Sequence, residues 1–236
     1  MFQSRGPSLL ELAQQALSST ERGYDLLAPK FEHTPFRTPD RLLEQVQPHL
    51  GTAERALDVC CGTGAAVRML RPIANQVVGI DMSAGMLEEA RQLCADAPGT
   101  AALSFVQGNA LDMPFEAEFD LAVTFGANGH ILPADEPAFF GSVFRALRPG
   151  GRFYLLTGRN PGPLHPLWWA ARGFNTAMHV RNALVNPPFV MFYLTMTWPE
   201  VGNPLEAAGF EVHAHHGLFE FPFTGGILVE ARRPTT

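Results

Sequence analysis

Lysine is all but missing from this chain: Lys30 is the only one among 236 residues. Its absence elsewhere removes the Gly-Lys-Ser/Thr phosphate cradle of the P-loop nucleotide folds. Cysteine is scarce as well, with three residues. Cys60 and Cys61 are adjacent on an apolar segment and Cys94 stands apart, which makes neither a disulfide framework nor a zinc spacing. A reducing cytoplasm is the expected setting. No apolar run approaches membrane-spanning length, and residues 1–20 lack the basic start and apolar run of a secretory leader. Positive charge is in deficit, 17 Lys plus Arg against 23 Asp plus Glu, a formal net charge of −6. That balance argues against a nucleic-acid partner held by overall charge. Repeats and low-complexity tracts are also absent. The remaining composition, 46% hydrophobic and 17% charged, suits one globular domain that can bury a single core.

The chain is organised around Ala56-Leu57-Asp58-Val59-Cys60-Cys61-Gly62-Thr63-Gly64. Leu57 to Cys61 reads as a short buried strand, apolar except for Asp58. Gly62 and Gly64 turn the chain without Cβ atoms, and Ala65 to Leu70 reads as a helix stopped by Pro72. Strand, glycine turn and helix together bring backbone N–H groups up to a ligand at a helix N-terminus. Gln76 to Ile80 is a second apolar strand, and Asp81 at its end is placed to accept hydrogen bonds from a ribose diol. A dinucleotide fingerprint requires a third glycine three residues past Gly64, where Val67 stands. The pattern fits a nucleoside without a demanding phosphate.

These residues resemble motif I of the class I S-adenosylmethionine-dependent methyltransferases, acid-x-Gly-x-Gly-x-Gly, with Cys60 where the first glycine usually stands. Gly108-Asn109-Ala110-Leu111-Asp112-Met113-Pro114-Phe115 resembles the family's Gly-Asp-Ala-x-x-Leu-Pro-Phe, with Asn109 in place of the acid. Leu147-Arg148-Pro149-Gly150-Gly151 matches the family's turn before a strand. The resemblance covers residues 52–157 well and 199–232 loosely, and leans to the small-molecule branch of the ubiquinone and menaquinone methyltransferases. It implies an α/β fold: a Rossmann-like, doubly wound seven-stranded sheet, mostly parallel with an antiparallel last strand. An N-terminal helical cap and a lid insertion complete the expected architecture. S-Adenosylmethionine is the implied cofactor and S-adenosylhomocysteine the product. The implied cofactor residues are Tyr24, Asp58, Cys60, Gly62, Gly64, Asp81, Met82, Met86, Asn109, Ala110 and Phe125. Asn109 keeps an oxygen that accepts one hydrogen bond from the adenine amine but supplies no charge.

Taken in order, the single domain 1–236 divides into a cap (1–50), a cofactor core (51–157), a lid (158–198) and a closing helix and hairpin (199–236). Ser8-Leu9-Leu10-Glu11 and Ser18-Ser19-Thr20-Glu21 have capping-box spacing and predict two short helices. Tyr24, Leu26, Leu27 and Phe31 form the expected apolar face of the second. Thr38-Pro39 predicts a third helix with Thr38 as N-cap, ending before Pro48. Ser83 caps a helix running to Cys94. Strands are expected at Leu103 to Val106, Phe119 to Phe125 and Phe153 to Thr157, with a helix from Glu136 to Leu147 before the last. The loop Gly126-Ala127-Asn128-Gly129-His130 follows a strand's C-terminal end, where ligands of open α/β sheets sit. His213 and His215 share a face of a late strand without a carboxylate or cysteine at ligand spacing, so no metal is expected.

Residues 158–198 break the alternation of strand and helix. They hold all three tryptophans, and Leu167, Ala171, Phe174, Met178 and Val185 keep helical spacing. So long a connection usually has a function, here a lid walling an acceptor pocket with Trp168, Phe174, Met178, Phe192 and Trp198. Between Glu136 and Glu200 there is no Asp or Glu, yet Arg145, Arg148, Arg152, Arg159, Arg172 and Arg181 fall there. The last three, set among tryptophans, suit an amphipathic acceptor or peripheral membrane contact through 158–198. A homodimer surface is the alternative use of the same residues. Methyl transfer from a sulfonium needs positioning and exclusion of water more than charge stabilisation. A base is required when the acceptor is a hydroxyl or an enolisable carbon, and His130, His33 and His165 are the candidates in that order. The expected reaction is methyl transfer at O or C of an apolar or amphipathic small molecule, quinone-, polyketide- or lipid-like. Two other classes stay open. One is a methyltransferase of protein or nucleic acid, which the apolar lid and the acidic balance oppose. The other is a non-catalytic cofactor-binding module, for which Cys60 and Asn109 are the departures that speak.

Overall fold

The structure, a computed structural model, describes residues 6–235; the outermost ends of the predicted domain, 1–5 and 236, lie outside the described residues. Seven strands form one sheet: β1 (Ala53–Val59), β2 (Ala74–Asp81), β3 (Ala102–Gln107), β4 (Phe119–Thr124), β5 (Leu147–Gly158), β6 (Glu211–His216) and β7 (Gly226–Arg232). Their order is β3-β2-β1-β4-β5-β7-β6. The first five pair in parallel, and β7 runs antiparallel to both β5 and β6. The predicted class and the antiparallel last strand are both present. Central strands are apolar on both faces because helices cover both. On one side α6 (Glu136–Ala146) and α8 (Gly202–Ala207) pack Phe139, Phe140, Val143 and Leu205 on Leu57, Val59 and Phe153. On the other, α3 (Asp40–Leu50), α4 (Ala65–Leu70) and α5 (Ala84–Ala95) pack Leu43, Val46, Val67 and Leu87 against Ala56, Val77 and Leu121. Asp120 on β4 accepts the Glu54 and Arg55 N–H groups, each at 2.7 Å, and so fixes where β1 begins.

Ahead of β1 lie α1 (Leu9–Ala16) and α2 (Thr20–Leu27). Ser8 and Glu11 form the predicted capping box, but at α2 the cap is Ser19, one residue later than the Ser18–Glu21 spacing suggests. Leu26 turns outward while Leu27 is buried, so the apolar face of α2 is narrower than expected. Thr38 does not cap α3. Pro39 occupies that position, and the Thr38 hydroxyl donates across the fold to the Phe125 carbonyl at 3.0 Å. Helix α3 also runs through Pro48 to Leu50, because Val46 and Leu50 are fully buried and anchor its last turn. After β5, α7 (Pro166–Leu184) is followed by an irregular run back to the core. Its Met178 packs with Phe189 and Phe192 in a third, smaller apolar cluster that reaches Tyr24.

Candidate active site

A cavity of 610 Å³ opens at the C-terminal ends of the central strands and beneath the N-terminal helices. Its first wall is made by the turns after β1, β2 and β3 and by Phe125 at the end of β4. Cys60 takes a left-handed backbone, φ 59°, and Gly62 follows at φ 50°. Such a turn is strained for a residue with a Cβ, and it points backbone groups at the cavity. Asp81 ends β2 with both oxygens engaged: one accepts the Gly62 N–H and the other the Ser83 N–H, each at 2.9 Å. Burial pushes its carboxyl above the ordinary range, against the pull of those amides. Asp58 is buried deeper, with one carboxylate oxygen lacking any partner. Burial first, and then the charge of Asp81, drive its pKa well up. A buried carboxylate oxygen without a partner among the described residues, close to a second carboxylate's charge, is satisfied by a cation. The ammonium and sulfonium of S-adenosylmethionine supply that charge, so these residues fit the cofactor.

The second wall comes from the N-terminal helices, the short turn Asn128–His130 after β4 and the chain after α7. The Asp25 carboxylate on α2 accepts the Ser83 hydroxyl at 2.6 Å and the Gly85 N–H at 2.9 Å, tying the cap to the loop after Asp81. Glu32, in the 3-10 turn Ala28–His33, accepts the Thr63 hydroxyl at 2.6 Å and pairs with Arg68 at 3.2 Å and Arg37 at 2.9 Å. The cap is therefore clasped to both cofactor-side turns. Facing them, the Tyr24 hydroxyl lies 2.8 Å from His130 Nε2, and His130 Nδ1 lies 2.6 Å from the Val190 carbonyl. A carbonyl only accepts, so Nδ1 carries the proton and Nε2 accepts from Tyr24. Burial lowers the His130 pKa from its ordinary 6.5, and burial together with the charge of Asp81 raises that of Tyr24. Near neutral pH the pair is thus a neutral phenol donating to a neutral imidazole.

A sequence profile described as a methyltransferase domain matches residues 56–151. An uncharacterized methyltransferase of Synechocystis sp. is 32% identical over 198 residues, which cover 79% of this chain and 79% of that protein. The chain belongs to the S-adenosylmethionine-dependent methyltransferases. A demethylmenaquinone methyltransferase of Symbiobacterium thermophilum is 35% identical over 118 residues, and that match spans 49% of this chain and about half, 47%, of the relative. Among solved structures, the DhpI–SAH complex superposes with a TM-score of 0.65 at 18% identity, over 97% of this chain and all (100%) of that one. At that identity it shows the fold alone.

The methyltransferase brings most of the sequence-predicted cofactor residues to one cavity. Tyr24, Asp58, Cys60, Gly62, Asp81 and Met82 line it, as do Met86, Asn109, Ala110 and Phe125. Gly64 does not. A Cβ there would lie 2.6 Å from the Cys94 sulfur, so Gly64, at φ 81°, lets α4 pack on α5 and has no face on the cavity. Asn109 spends part of its accepting capacity locally, taking the Leu111 N–H at 3.0 Å.

The acceptor side needs more correction. Of the five residues assigned to it, only Phe192 lines the cavity. Trp168 stacks edge-on with Trp169 and lies beneath Arg172, outside the cavity. Phe174 and Met178 sit one layer behind, packed on the wall they support. Trp198 packs on the main core and beside His216. Of the residues at helical spacing, Ala171, Phe174 and Met178 lie on the inner face of α7, whereas Leu167 is exposed and Val185 falls past the end of the helix; that inner face meets the wall and not the ligand space. Of the bases, His33 is exposed, and His165 caps α7 by accepting the Leu167 N–H at 3.2 Å. Arg181 is structural too: it donates to the Ala16 and Ser18 carbonyls, each at 2.7 Å. The missed residues are Arg37 and Thr38 of the cap and the run Val190–Thr195, which carries the second wall. Nothing in their spacing marks them, because Arg37 and Thr38 are held by side-chain bonds to Glu32 and the Phe125 carbonyl, and the run Val190–Thr195 has no regular structure. His215 joins Glu230 at 3.1 Å, but among the described residues no cluster of three or more His, Cys, Asp or Glu could hold a metal ion.

Proposed function

We propose that this methyltransferase methylates an oxygen, or an enolisable carbon, on an apolar small molecule with an acidic ring hydroxyl, of the quinol or polyketide type. The observation that supports it best is the Tyr24–His130–Val190 relay set in an otherwise apolar wall. Bound S-adenosylmethionine supplies an electrophilic methyl on a sulfonium. In the proposed arrangement Asp81 accepts from the ribose hydroxyls, the Asp58 carboxylate meets the ammonium, Asn109 and the Ala110 N–H face the adenine, and Phe125 and Met86 pack on the apolar parts. Phe192 and the Val190–Thr195 run enclose the acceptor and exclude water.

The acceptor's hydroxyl proton passes to the Tyr24 oxygen as the Tyr24 proton passes to His130 Nε2. The oxygen so freed would be the nucleophile for the methyl that the sulfonium supplies, with sulfur keeping the electron pair of the broken bond. Val190 C=O, bonded to Nδ1, steadies the imidazolium that results. Burial disfavours that cation, so the relay suits an acceptor whose own acidity does part of the work. The named activity of the Symbiobacterium relative, on demethylmenaquinone, supports an acceptor of this kind.

The test is turnover against a panel of naphthoquinols, phenols, aliphatic amines and peptides, read as S-adenosylhomocysteine formed. We expect quinols and acidic phenols to be methylated, and Tyr24→Phe and His130→Gln to lower kcat while both proteins still bind S-adenosylmethionine. Methylation of amines or peptides in preference, insensitive to His130→Gln, would overturn the proposal.

A further inference from the structure

Helix α7 carries two unlike faces. Its inner face, Ala171, Phe174, Asn175 and Met178, holds the cavity wall; Asn175 clamps Tyr193 through both its amide atoms at 2.9 Å. Its outer face covers nothing among the described residues. Trp169, Gly173, Thr176, Val180 and Leu184 recur at helical spacing and are all exposed, Trp169 at 63% and Leu184 at 80%. Leu164, just before the helix, is 100% exposed. The Trp169 indole N–H is already satisfied by the Pro163 carbonyl at 2.9 Å, which leaves its ring free to enter an apolar layer. Arg172 stacks on Trp168 along one edge of this stripe, and Arg159 is exposed where the segment begins.

We propose that the outer face of α7 docks on an anionic lipid surface. Charge complementarity carries the choice of occupant. The protein has a net charge of −6, yet no carboxylate occurs between Glu136 and Glu200. An acidic protein approaches anionic headgroups most readily through a surface that carries no carboxylate. Exposed leucines and a tryptophan flanked by arginine match an interface where one layer is apolar and the next is negative. A second copy fits less well, since an isologous contact would set arginine-bearing faces together with no carboxylate on either to answer them. Among the described residues no helix is long and apolar enough to cross a membrane, so contact would be peripheral. The wall held by α7 is the acceptor side of the cavity, which links docking to delivery of a lipophilic acceptor; only that link rests on the function proposed above.

The experiment is co-sedimentation of the full chain with vesicles of equimolar phosphatidylglycerol and phosphatidylcholine, against vesicles of phosphatidylcholine alone. Binding to the anionic vesicles only is expected. Arg159→Ala and Arg172→Ala should each weaken it about fivefold, the effect of one cation near such a surface, and Trp169→Ala/Leu184→Ala should weaken it further. All variants should keep the wild-type melting temperature and turnover on a water-soluble phenol. Equal sedimentation with both vesicle types, none with either, or variants that bind like wild type would overturn the proposal. A dimer in sedimentation velocity that Leu184→Glu dissociates would assign the face to a second copy. Vesicle binding without methylation of any acceptor would leave this proposal standing and defeat the functional one.

Discussion

The wall of the cavity assigned to the cofactor is made by the ends of four strands, whereas the facing wall is made by two short helices, the turn Asn128–His130 and an irregular run behind one long helix. In the first wall nearly every position follows from a local rule. Strand ends converge at the sheet's carboxyl edge, the glycine turn exposes amides, and Asp81 closes the turn by binding Gly62 and Ser83. In the second wall single side-chain clamps across long sequence separations do the holding. Thr20 receives the Val190 N–H at 2.8 Å, and Thr195 donates to the Asn128 carbonyl at 2.6 Å. Each such bond is worth on the order of 1 kcal/mol. The first wall rests on the sheet; the second can be rebuilt by a few substitutions, as suits the acceptor side proposed above.

If the two walls divide the work, substitutions should separate cofactor affinity from turnover. His130→Gln should have the largest effect, a loss of roughly 10²–10⁴ in kcat for removal of a general base, with S-adenosylmethionine affinity kept in calorimetry. A large fall in that affinity would mean that His130 belongs to the cofactor wall. Next is Asp81→Ala, expected to lose about 1.5–3 kcal/mol of cofactor binding, the range for hydrogen bonds to a charged group. Calorimetry on a folded Asp81→Ala protein with unchanged affinity would refute its ribose role. Glu32→Gln tests the clasp between the walls. Leaving Arg37 and Arg68 without their shared carboxylate should cost about 1–3 kcal/mol of stability in urea unfolding, and cofactor affinity should fall with it. Wild-type values for both would show that the cap is not held there.

The pH dependence separates the walls on a finer scale. His130 is neutral in the fold with its pKa below 6.5. Below about pH 6.5 the unfolded chain gains a proton that the buried imidazole refuses. Its contribution to stability is complete above that pH and is lost progressively as the pH falls from 6.5 toward the folded value. The acid limb of kcat/KM should accordingly lie below pH 6.5, and a limb at or above it would contradict a buried neutral base. The smallest effect belongs to Asn109→Asp. A carboxylate keeps the turn to Leu111 and offers the adenine amine a charged acceptor, so binding should tighten about fivefold. Marked weakening would show that Asn109 serves something other than the adenine.

Much of the first wall is legible in the residues themselves. Asp58, Gly62 and Asp81 sit within one strand–turn–helix–strand unit, and their meeting needs nothing from the rest of the chain. Gly64 was misplaced because glycine is demanded equally by a ligand's approach and by a neighbouring helix, and only the 2.6 Å approach to Cys94 tells which. The second wall was legible as aromatic content but not as geometry. Trp168 and Trp198 carry the composition of a pocket, yet neither faces it. Tyr24 and His130 are 106 residues apart, and no periodicity joins them.

By itself the sequence determined the central strands and the position of the cofactor turn, because alternation of apolar runs, glycines and caps acts over ten or twenty residues; the closing antiparallel strand was implied by the resemblance to the family. It also determined that residues 137–199 carry no negative charge. Tertiary structure decided which histidine meets a tyrosine, which tryptophans face outward, and that Arg181 braces a loop. Those outcomes depend on where one helix of 19 residues lies against two short ones, set by packing and by hydrogen bonds across the fold that no local pattern encodes.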